Sequence, residues 1–364
     1  MKNPFPFDRI NIGSCFYGRE ESLEMVHNTV KYGNNLLIYS KRRTGKSALV
    51  TRFGELYEKD FYLIYVDLFD LTSKEDFAKH LLKALANSTK LDIVSTIKKF
   101  GSLFKRARVE ATIDPNTGKT SLKPIVSTLS FDEMMEDFFN SVSVLSKEKN
   151  VIIALDEFQQ ISELKKDKID ALIRSYIQNR GEKVSYIFLG SKRHLLTSLF
   201  QHKAPLFEMA THYVLPPLSF ESIKKYVTEY LSISDDMIHY IQEISAHETK
   251  LMQNIFYLLH SQGKKDINRE IIDSVLDIVI DAKDSIYRMI LDTLPSSQKT
   301  ALKIIGKYPS GFYIQEVFDE YGISKQSLQS AINTLFKKEI IDKEDDKYFV
   351  PERTFELWIK KELI

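Results

Sequence analysis

Dense apolar runs recur through the first part of the chain, and polar residues follow each of them. The runs lie at residues 36–39, 61–67, 151–155 and 184–191. Short continuous runs rich in leucine, isoleucine, valine and aromatic residues are typical of strands buried on both faces. Between the runs, apolar residues recur at helical spacing. Because strands and helices alternate, the pattern predicts an α/β fold with a parallel, doubly wound sheet.

Residues 104–130 interrupt this alternation. Two segments rich in β-forming residues flank a Pro/Asn/Gly turn at residues 114–118, which predicts an inserted hairpin. The insertion contains Gly118-Lys119-Thr120, which looks like part of a phosphate-binding motif. Because no buried strand precedes it and Pro124 blocks a long following helix, we interpret it as part of the hairpin.

The second part of the chain has a different pattern. Residues 220–288 contain few glycines and keep a helical spacing of apolar residues, which predicts a helical bundle. Further helices are predicted at residues 297–306 and 314–321, and a third follows Ser324, a favourable capping residue. A strand–turn–strand pattern follows at residues 340–350. Three helices and a two-stranded wing predict a winged helix.

Composition narrows the class of protein. The chain has 364 residues, 43% of them hydrophobic, and 51 basic residues nearly balance 50 acidic ones. The net charge of +1 therefore gives no general argument for binding nucleic acid or membranes. Cys15 is the only cysteine, which excludes an intrachain disulfide framework. With no signal-peptide pattern and no apolar run of about 18 residues, we expect a soluble, cytoplasmic protein.

The candidate chemistry begins directly after the first apolar run, at residues 40–47 (S-K-R-R-T-G-K-S). A strand, a short loop ending Gly-Lys-Ser and a helix describe a phosphate-binding loop, in which backbone N–H groups surround a polyphosphate. Lys46 would reach the β- and γ-phosphates, and the Ser47 hydroxyl would bind Mg²⁺. Ser40 stands where the motif usually has its first glycine.

Asp156 and Glu157 follow the third apolar run, at the end of a predicted central strand. Ligands of open α/β sheets bind at that end. Asp156 would then orient Mg²⁺ and Glu157 would polarise the attacking water; the alternative is a pair of solvated acids at a helix start. Ser191, at the end of the next strand, would contact the γ-phosphate or cap the following helix.

The third helix of the predicted winged helix carries a set of polar residues that would face a DNA groove. They are Lys325, Gln326, Gln329, Asn333 and Lys337. The predicted wing tip is acidic at residues 344–346 and would repel phosphates. DNA contact and a protein-interaction role both stay open.

Nearly the whole chain resembles the archaeal-type ATPase family, a STAND branch allied to the AAA+ P-loop ATPases. The resemblance is carried by F-Y-G-R-E-E at residues 16–21, K-R-R-T-G-K-S at 41–47, D-E-F-Q at 156–159, residues 172–178 with 184–195, L-P-P-L at 215–218, and the C-terminal segments 348–351 and 355–358. It implies three domains: a P-loop ATPase domain at residues 1–218, a helical lid at 219–292 and a winged helix at 293–364.

The resemblance also implies ATP and Mg²⁺ as ligands, and an ATP-dependent molecular switch with a protein partner. The nucleotide-binding residues it implies are Gly18, Arg19, Arg42, Arg43, Thr44, Gly45, Lys46, Ser47 and Ala48. Those implied for catalysis are Asp156, Glu157, Ser191 and Arg174, with Ser47 and Asp156 on Mg²⁺.

Two departures from the family pattern modify this expectation. One is Ser40. The other is the absence of an arginine finger at position 209, where this chain has Met209. Such an arginine contributes on the order of 10³–10⁵ in rate, so hydrolysis is expected to be slow or triggered by a partner unless Arg174 or Arg193 substitutes. The alternatives are a scaffold that does not hydrolyse nucleotide and a DNA-binding regulator.

Overall fold

The computed structural model describes residues 3–8, 13–88, 108–113, 120–125, 129–179, 181–191, 193–308, 310–344 and 346–364. The chain folds into two compact units. The sheet unit comprises residues 10–40 and 45–216, and the helical unit comprises residues 1–9, 41–44 and 217–364.

A five-stranded parallel sheet forms the centre of the sheet unit. Its strands are β1 (Leu36–Tyr39), β2 (Phe61–Asp67), β5 (Asn150–Asp156), β6 (Val184–Gly190) and β7 (Thr211–Val214). Their spatial order is β2-β5-β6-β1-β7. Chain order is thus broken at β1, which lies between β6 and β7, and a crevice for ligands is expected at such a break.

Side chains of the strands alternate between two cores. Residues such as Ile153 and Phe188 pack on one face with α3 (Lys74–Ser88), α4 (Phe131–Glu148), α5 (Ile169–Gln178) and α6 (Arg193–Phe200). Residues such as Ile152 and Ile187 pack on the other face with α1 (Glu20–Val30) and α2 (Lys46–Leu56). Helices therefore cover both faces, which explains why the strands are apolar throughout.

The interruption after α3 contains an antiparallel pair, β3 (Arg108–Ile113) and β4 (Thr120–Ile125). This confirms the predicted hairpin pairing. Its turn, which includes Gly118 and Lys119, lies outside the described residues.

The first helices of the helical unit form a bundle. They are α7 (Phe220–Val227), α8 (Asp235–Ile244), α9 (Thr249–Ser261), α10 (Arg269–Asp281) and α11 (Asp284–Asp292). Residues near the N-terminus pack here: Phe5 is fully buried against Tyr226, Tyr230 and Phe256.

The C-terminal part is a winged helix. It contains α12 (Ser296–Lys307), α13 (Gln315–Tyr321), α14 (Lys325–Lys337), the wing strands β8 (Asp342–Glu344) and β9 (Lys347–Phe349), and α15 (Arg353–Leu363). Trp358 fills its core and donates a 2.9 Å hydrogen bond to Asp284. The Ser324 side chain accepts from the Ser327 N–H, as predicted for a cap. Helix α11 also belongs to this core through Tyr287 and Leu291.

The predicted fold class is confirmed, and the differences are local. Helix α2 begins at Lys46, inside the phosphate-binding motif, and the region after β5 contains a 3₁₀ helix, Phe158–Asp167, that the apolar pattern does not predict. Within the part of the chain that the structure describes, every helix is too short or too polar to cross a membrane.

Candidate phosphate-binding site

Three strand ends of the sheet unit bring the predicted site residues to one edge. Tyr39 pairs with Gly190 in parallel register, and Asp67 pairs with Asp156. Ser40 and Ser191 follow Tyr39 and Gly190 directly. Because parallel strands end at the same edge, the loop after β1, the acids after β5 and Ser191 after β6 all begin there.

Gly45 and Lys46 form the end of the loop and the start of α2. Gly45 has a φ of 103°, a left-handed conformation that side chains disfavour. Lys46 is 6% exposed, and its ammonium donates to the Ser40 carbonyl oxygen at 3.1 Å and to Ser40 Oγ at 3.2 Å. Ser40 itself does not adopt the left-handed conformation that favours glycine. Its hydroxyl instead supplies an extra acceptor for Lys46, a contact that glycine would not make.

Ser47 and Asp156 meet in the sheet unit although 109 positions separate them. The Ser47 hydroxyl donates to Asp156 Oδ2 at 2.5 Å, and Tyr65 on β2 donates to the same oxygen. Asp156 is 6% exposed. Burial, together with the negative charge of Asp156, raises the pKa of Tyr65, so its phenol stays protonated as a donor. A hydroxyl and a carboxylate oxygen side by side are the hard ligands that Mg²⁺ prefers.

Glu157 leaves the strand through a turn. Its φ of 50° is unusual for a residue with a side chain, and its N–H donates to Asp156 Oδ1 at 2.9 Å. The carboxylate of Glu157 accepts a hydrogen bond from Gln159 Nε2. Two carboxylates therefore lie at the end of β5: that of Asp156, its last residue, is bonded to Ser47, and that of Glu157 is bonded to Gln159.

Other predicted residues of the sheet unit lie in varied surroundings. Arg19 is 5% exposed and donates to the Pro216 carbonyl oxygen, and burial lowers its pKa to about 10. Gly18 has a φ of 66°, Ala48 lies in the first turn of α2, and Ser191 is half-buried.

Arg174 donates to the Pro205 carbonyl oxygen at 2.6 Å. Among the described residues it has no hydrogen bond to Lys46, Ser47 or Asp156. The side chain of Arg193 lies outside the described part of the chain. The catalytic role of either arginine stays a prediction.

Arg42, Arg43 and Thr44 belong to the helical unit. Arg43 has a φ of 63°, and its Nη1 lies 2.7 Å from Glu352 Oε1 and 3.5 Å from Glu248 Oε1. Its carbonyl accepts from the Lys250 N–H, and the Thr44 carbonyl accepts from Thr249 Oγ1. These contacts attach residues 43–44 to the N-terminus of α9 and to the residue preceding α15.

Glu352 is the centre of this charged cluster. It also accepts from Lys283 Nζ and from the Tyr287 hydroxyl, each at 2.7 Å. Burial alone would raise its pKa, but the hydrogen bonds from Arg43, Lys283 and Tyr287 outweigh burial and hold the pKa at about 2. Glu248 is 7% exposed, and burial raises its pKa despite the nearby Arg43. Arg42 forms a more exposed ion pair with Glu339, and such a pair contributes little to stability.

Sequence reasoning gave no role to Tyr65, Gln159, Glu248 or Glu352. Gln159 belongs to the D-E-F-Q segment and lies two residues after Glu157, the candidate base. This short spacing is the signal from which a contact between the two side chains could be predicted. Tyr65 could be found only by knowing that β2 pairs with β5. Glu248 and Glu352 lie 205 and 309 positions from Arg43, and no local pattern connects them.

Two family models match the chain. A model of an ATPase domain predominantly from archaea matches residues 16–235, and a model of a probable winged helix domain matches residues 285–361. The first match covers more than half of the chain. The chain therefore belongs to this archaeal ATPase family, a P-loop ATPase family, and it carries a C-terminal winged helix, as the resemblance predicted. No curated protein has a matching sequence.

Solved structures share the fold. A Walker-type ATPase of Pyrococcus abyssi has a TM-score of 0.64 at 17% identity, covering 98% of this chain and 99% of that one. The Orc1 protein of Aeropyrum pernix, solved with DNA, has a TM-score of 0.53 at 15% identity, covering 99% and 96%. The Orc2 protein of the same organism, in ADPNP and ADP complexes, has a TM-score of 0.51 at 10% identity, covering 99% and 98%. At such identities the likeness concerns the fold alone.

Proposed function

We propose that the protein binds ATP with Mg²⁺ at the loop of residues 40–47, hydrolyses it slowly, and uses the bound nucleotide as a switch. The observation that carries the proposal is that Lys46, Ser47 and Asp156 lie at or after strand ends at one edge of the sheet. The buried Lys46 ammonium is bonded to Ser40 there, and the Ser47 hydroxyl is bonded to the Asp156 carboxylate. The N-terminus of α2 adds backbone N–H groups that favour a phosphate.

Lys46 would exchange its contacts with Ser40 for the β- and γ-phosphate oxygens. The exchange is favourable in free energy because Ser40 supplies neutral acceptors, whereas a phosphate supplies charged acceptors, which form stronger hydrogen bonds. Ser47 and Asp156 would hold Mg²⁺, which when bound would neutralise charge on the phosphates. Glu157, the residue directly after Asp156, would accept the proton of the attacking water.

The lack of an arginine at position 209 and the contact made by Arg174 support slow hydrolysis. Position 209 is Met209, and Arg174 is engaged with the Pro205 carbonyl. An arginine finger in other ATPases and GTPases contributes on the order of 10³–10⁵ in rate. We therefore propose that a partner supplies or releases such a charge, which is the behaviour expected of a STAND-type switch.

The switch is supported by the contacts of Arg43. This residue is two positions before Gly45, and it belongs to the helical unit, within which it is bonded to Glu248 and Glu352. A phosphate that changes the conformation of the loop would therefore change these ion pairs. By thermodynamic linkage, the contacts must in turn change the affinity for the phosphate.

Phosphate release tests hydrolysis directly. Glu157→Gln is expected to abolish release while leaving Mg-ATP binding within about threefold of the wild type, since Glu157 would act on the water rather than on the nucleotide. If wild type and variant bind Mg-ATP equally and neither releases phosphate, the protein is a nucleotide-binding scaffold. Equal release by both would contradict the role of Glu157.

DNA binding through the winged helix is the second candidate function. Lys325, Gln326, Gln329, Asn333 and Lys337 are all exposed on α14, and the Orc1 relative was solved with DNA. Against it, Lys343 on the wing pairs with Asp346, and Glu344 is exposed. A DNA role predicts salt-sensitive binding that the double replacement Lys325→Ala/Lys337→Ala weakens. Binding that is absent, or that the replacement leaves unchanged, would exclude it.

A further inference from the structure

Glu157 is held in an uncommon conformation by its neighbours in the D-E-F-Q segment. Its φ is 50°, its N–H is bonded to Asp156 Oδ1, and its carbonyl accepts from the Gln160 N–H at 2.9 Å. Residues 157–160 thus form a tight turn at the end of β5. The turn fixes where the Glu157 backbone lies, but not where its carboxylate points.

Gln159 fixes the carboxylate. It is 2% exposed, and its Nε2 donates to Glu157 Oε2. The backbone carbonyl of Gln159 accepts a hydrogen bond from Ser162 Oγ at 2.6 Å. A buried side chain on an anchored backbone has little freedom, so Oε2 of Glu157 is restrained and Oε1 is left for another partner.

Gly190, the last residue of β6, lies next to the side-chain amide of Gln159. An ideal Cβ built on Gly190 would lie 2.2 Å from Gln159 Oε1 and 2.6 Å from a methyl group of Leu196. Any residue other than glycine at position 190 would therefore displace the Gln159 side chain. Among the described residues, Gln159 Oε1 has no hydrogen-bond partner. Leaving a buried amide oxygen unsatisfied costs about 1–3 kcal/mol, so packing alone gives little reason for glutamine here.

We propose that Gln159 is a positioning residue for Glu157, holding one carboxylate oxygen so that the other accepts the proton of the attacking water. This inference rests on the proposed ATP hydrolysis. In the reaction, the water oxygen bonds to the γ-phosphorus while the bond to the β–γ bridging oxygen breaks. ADP leaves with that electron pair, and the water proton passes to Glu157.

A neutral amide suits this role because it donates a hydrogen bond without competing for the proton. A carboxyl group in its place would share a proton with Glu157, since two adjacent carboxylates resist being charged together. Gln159→Glu therefore differs from Gln159→Leu in a measurable way. It is expected to move the acidic limb of the pH–rate profile to higher pH, by about one unit or more.

Steady-state kinetics of the 364-residue chain, combined with nucleotide affinity, form the test. Gln159→Leu is expected to lower kcat about ten- to a hundredfold while the Kd for Mg-ADP stays within about threefold of the wild type. Gly190→Ala is expected to reproduce this loss, because it displaces the same amide. Gln160→Ala, the adjacent half-buried glutamine, is the matched control and is expected to keep wild-type kcat.

Three results would overturn the inference: wild-type kcat in Gln159→Leu, an unchanged pH profile in Gln159→Glu, or a loss in Gln160→Ala as large as in Gln159→Leu. Thermal unfolding identifies any variant that fails to fold, and Gln159→Glu, which keeps the size of the side chain, then provides the decisive measurement.

A second readout separates this inference from the proposed function. The Gln159 side-chain amide, assigned in a nitrogen-15 spectrum by its loss in Gln159→Leu, is expected to shift in Glu157→Ala. If wild type hydrolyses no ATP and the resonance shifts, the proposed function fails while the contact stands. If wild type hydrolyses ATP and the resonance does not move, the positioning role fails alone.

Discussion

Arg43 Nη1 lies 2.7 Å from Glu352 Oε1, joining the phosphate-binding motif to the residue that precedes α15. Both side chains are about one-quarter exposed, and Lys283 and Tyr287 complete the set of donors around Glu352. An ion pair that is shielded this far from water contributes more to stability than an ion pair on the surface. The ion pair therefore restrains the loop at Arg43.

Glu352→Gln is expected to tighten nucleotide binding. Removing the charge of Glu352 breaks the 2.7 Å ion pair of Arg43 and leaves the longer contact with Glu248 at 3.5 Å, so that less has to be broken when the loop rearranges around a phosphate. The change in Kd for Mg-ADP is expected to be about five- to tenfold, a usual size for coupling between sites. Isothermal titration measures it. Glu339→Gln, which removes the exposed partner of Arg42, is the control and is expected to leave Kd unchanged. Weaker binding in Glu352→Gln would show that the ion pair supports the loop instead of restraining it.

The Glu352 cluster is also expected to make stability depend on pH. The pKa of Glu352 falls from an ordinary 4.5 to about 2, so its contribution is fully present above pH 4.5 and is lost as the pH falls towards 2. The neighbouring Glu248 opposes this because its pKa is raised, which destabilises the protein as the pH rises. Denaturant unfolding between pH 5 and 2.5 is therefore expected to be less pH-dependent in Glu352→Gln than in wild type. Parallel curves would contradict the assigned hydrogen bonds.

Tyr65→Phe is expected to weaken Mg²⁺-dependent binding. Tyr65 and Ser47 donate to the same oxygen of Asp156, and partners that orient a ligating carboxylate typically contribute about 10–100-fold to metal affinity. A Mg²⁺ titration at fixed nucleotide concentration measures the effect, with nucleotide binding in EDTA as the reference. Tyr62→Phe, also on β2 but bonded to Glu148, is the matched control. If the Mg²⁺ dependence of binding is unchanged in Tyr65→Phe, Tyr65 does not contribute to Mg²⁺ affinity.

Ser40→Gly is expected to strengthen phosphate binding modestly. The substitution removes the hydroxyl acceptor that residue 40 supplies to the Lys46 ammonium, while the backbone carbonyl of residue 40 stays. A net hydrogen bond to a charged group is worth about 1.5–3 kcal/mol, and part of this is recovered from water. The Kd for Mg-ADP is therefore expected to fall about three- to tenfold. Weaker binding would show that the serine hydroxyl assists the phosphate itself.

The sequence predicts the strands and helices well because their apolar spacing is local. The apolar runs leading to Tyr39, Asp156 and Gly190 identify buried strands, and the loop and the acids are recognisable from neighbouring residues. What the sequence does not contain is strand order. Without it, the approach of Tyr65 to Asp156 cannot be inferred, because these residues meet only through the pairing of β2 with β5.

The charged cluster shows the same limit more strongly. Arg43, Glu248 and Glu352 come from three distant segments, and each resembles an ordinary surface charge in the sequence. The departure at Ser40 illustrates the opposite case. It looks like a defect of the motif, but the hydroxyl contacts Lys46, and the backbone of residue 40 does not require glycine.

Thermal unfolding with and without Mg-ATP tests the central claim most directly. Ligand at about a thousand times Kd stabilises a protein by roughly 4 kcal/mol, which corresponds to a shift of several degrees in Tm for a chain of this size. The wild type is expected to show this shift, and Lys46→Ala, which removes the ammonium that we propose binds phosphate, is expected to show little or none. No shift in the wild type, or an equal shift in Lys46→Ala, would contradict nucleotide binding at this loop.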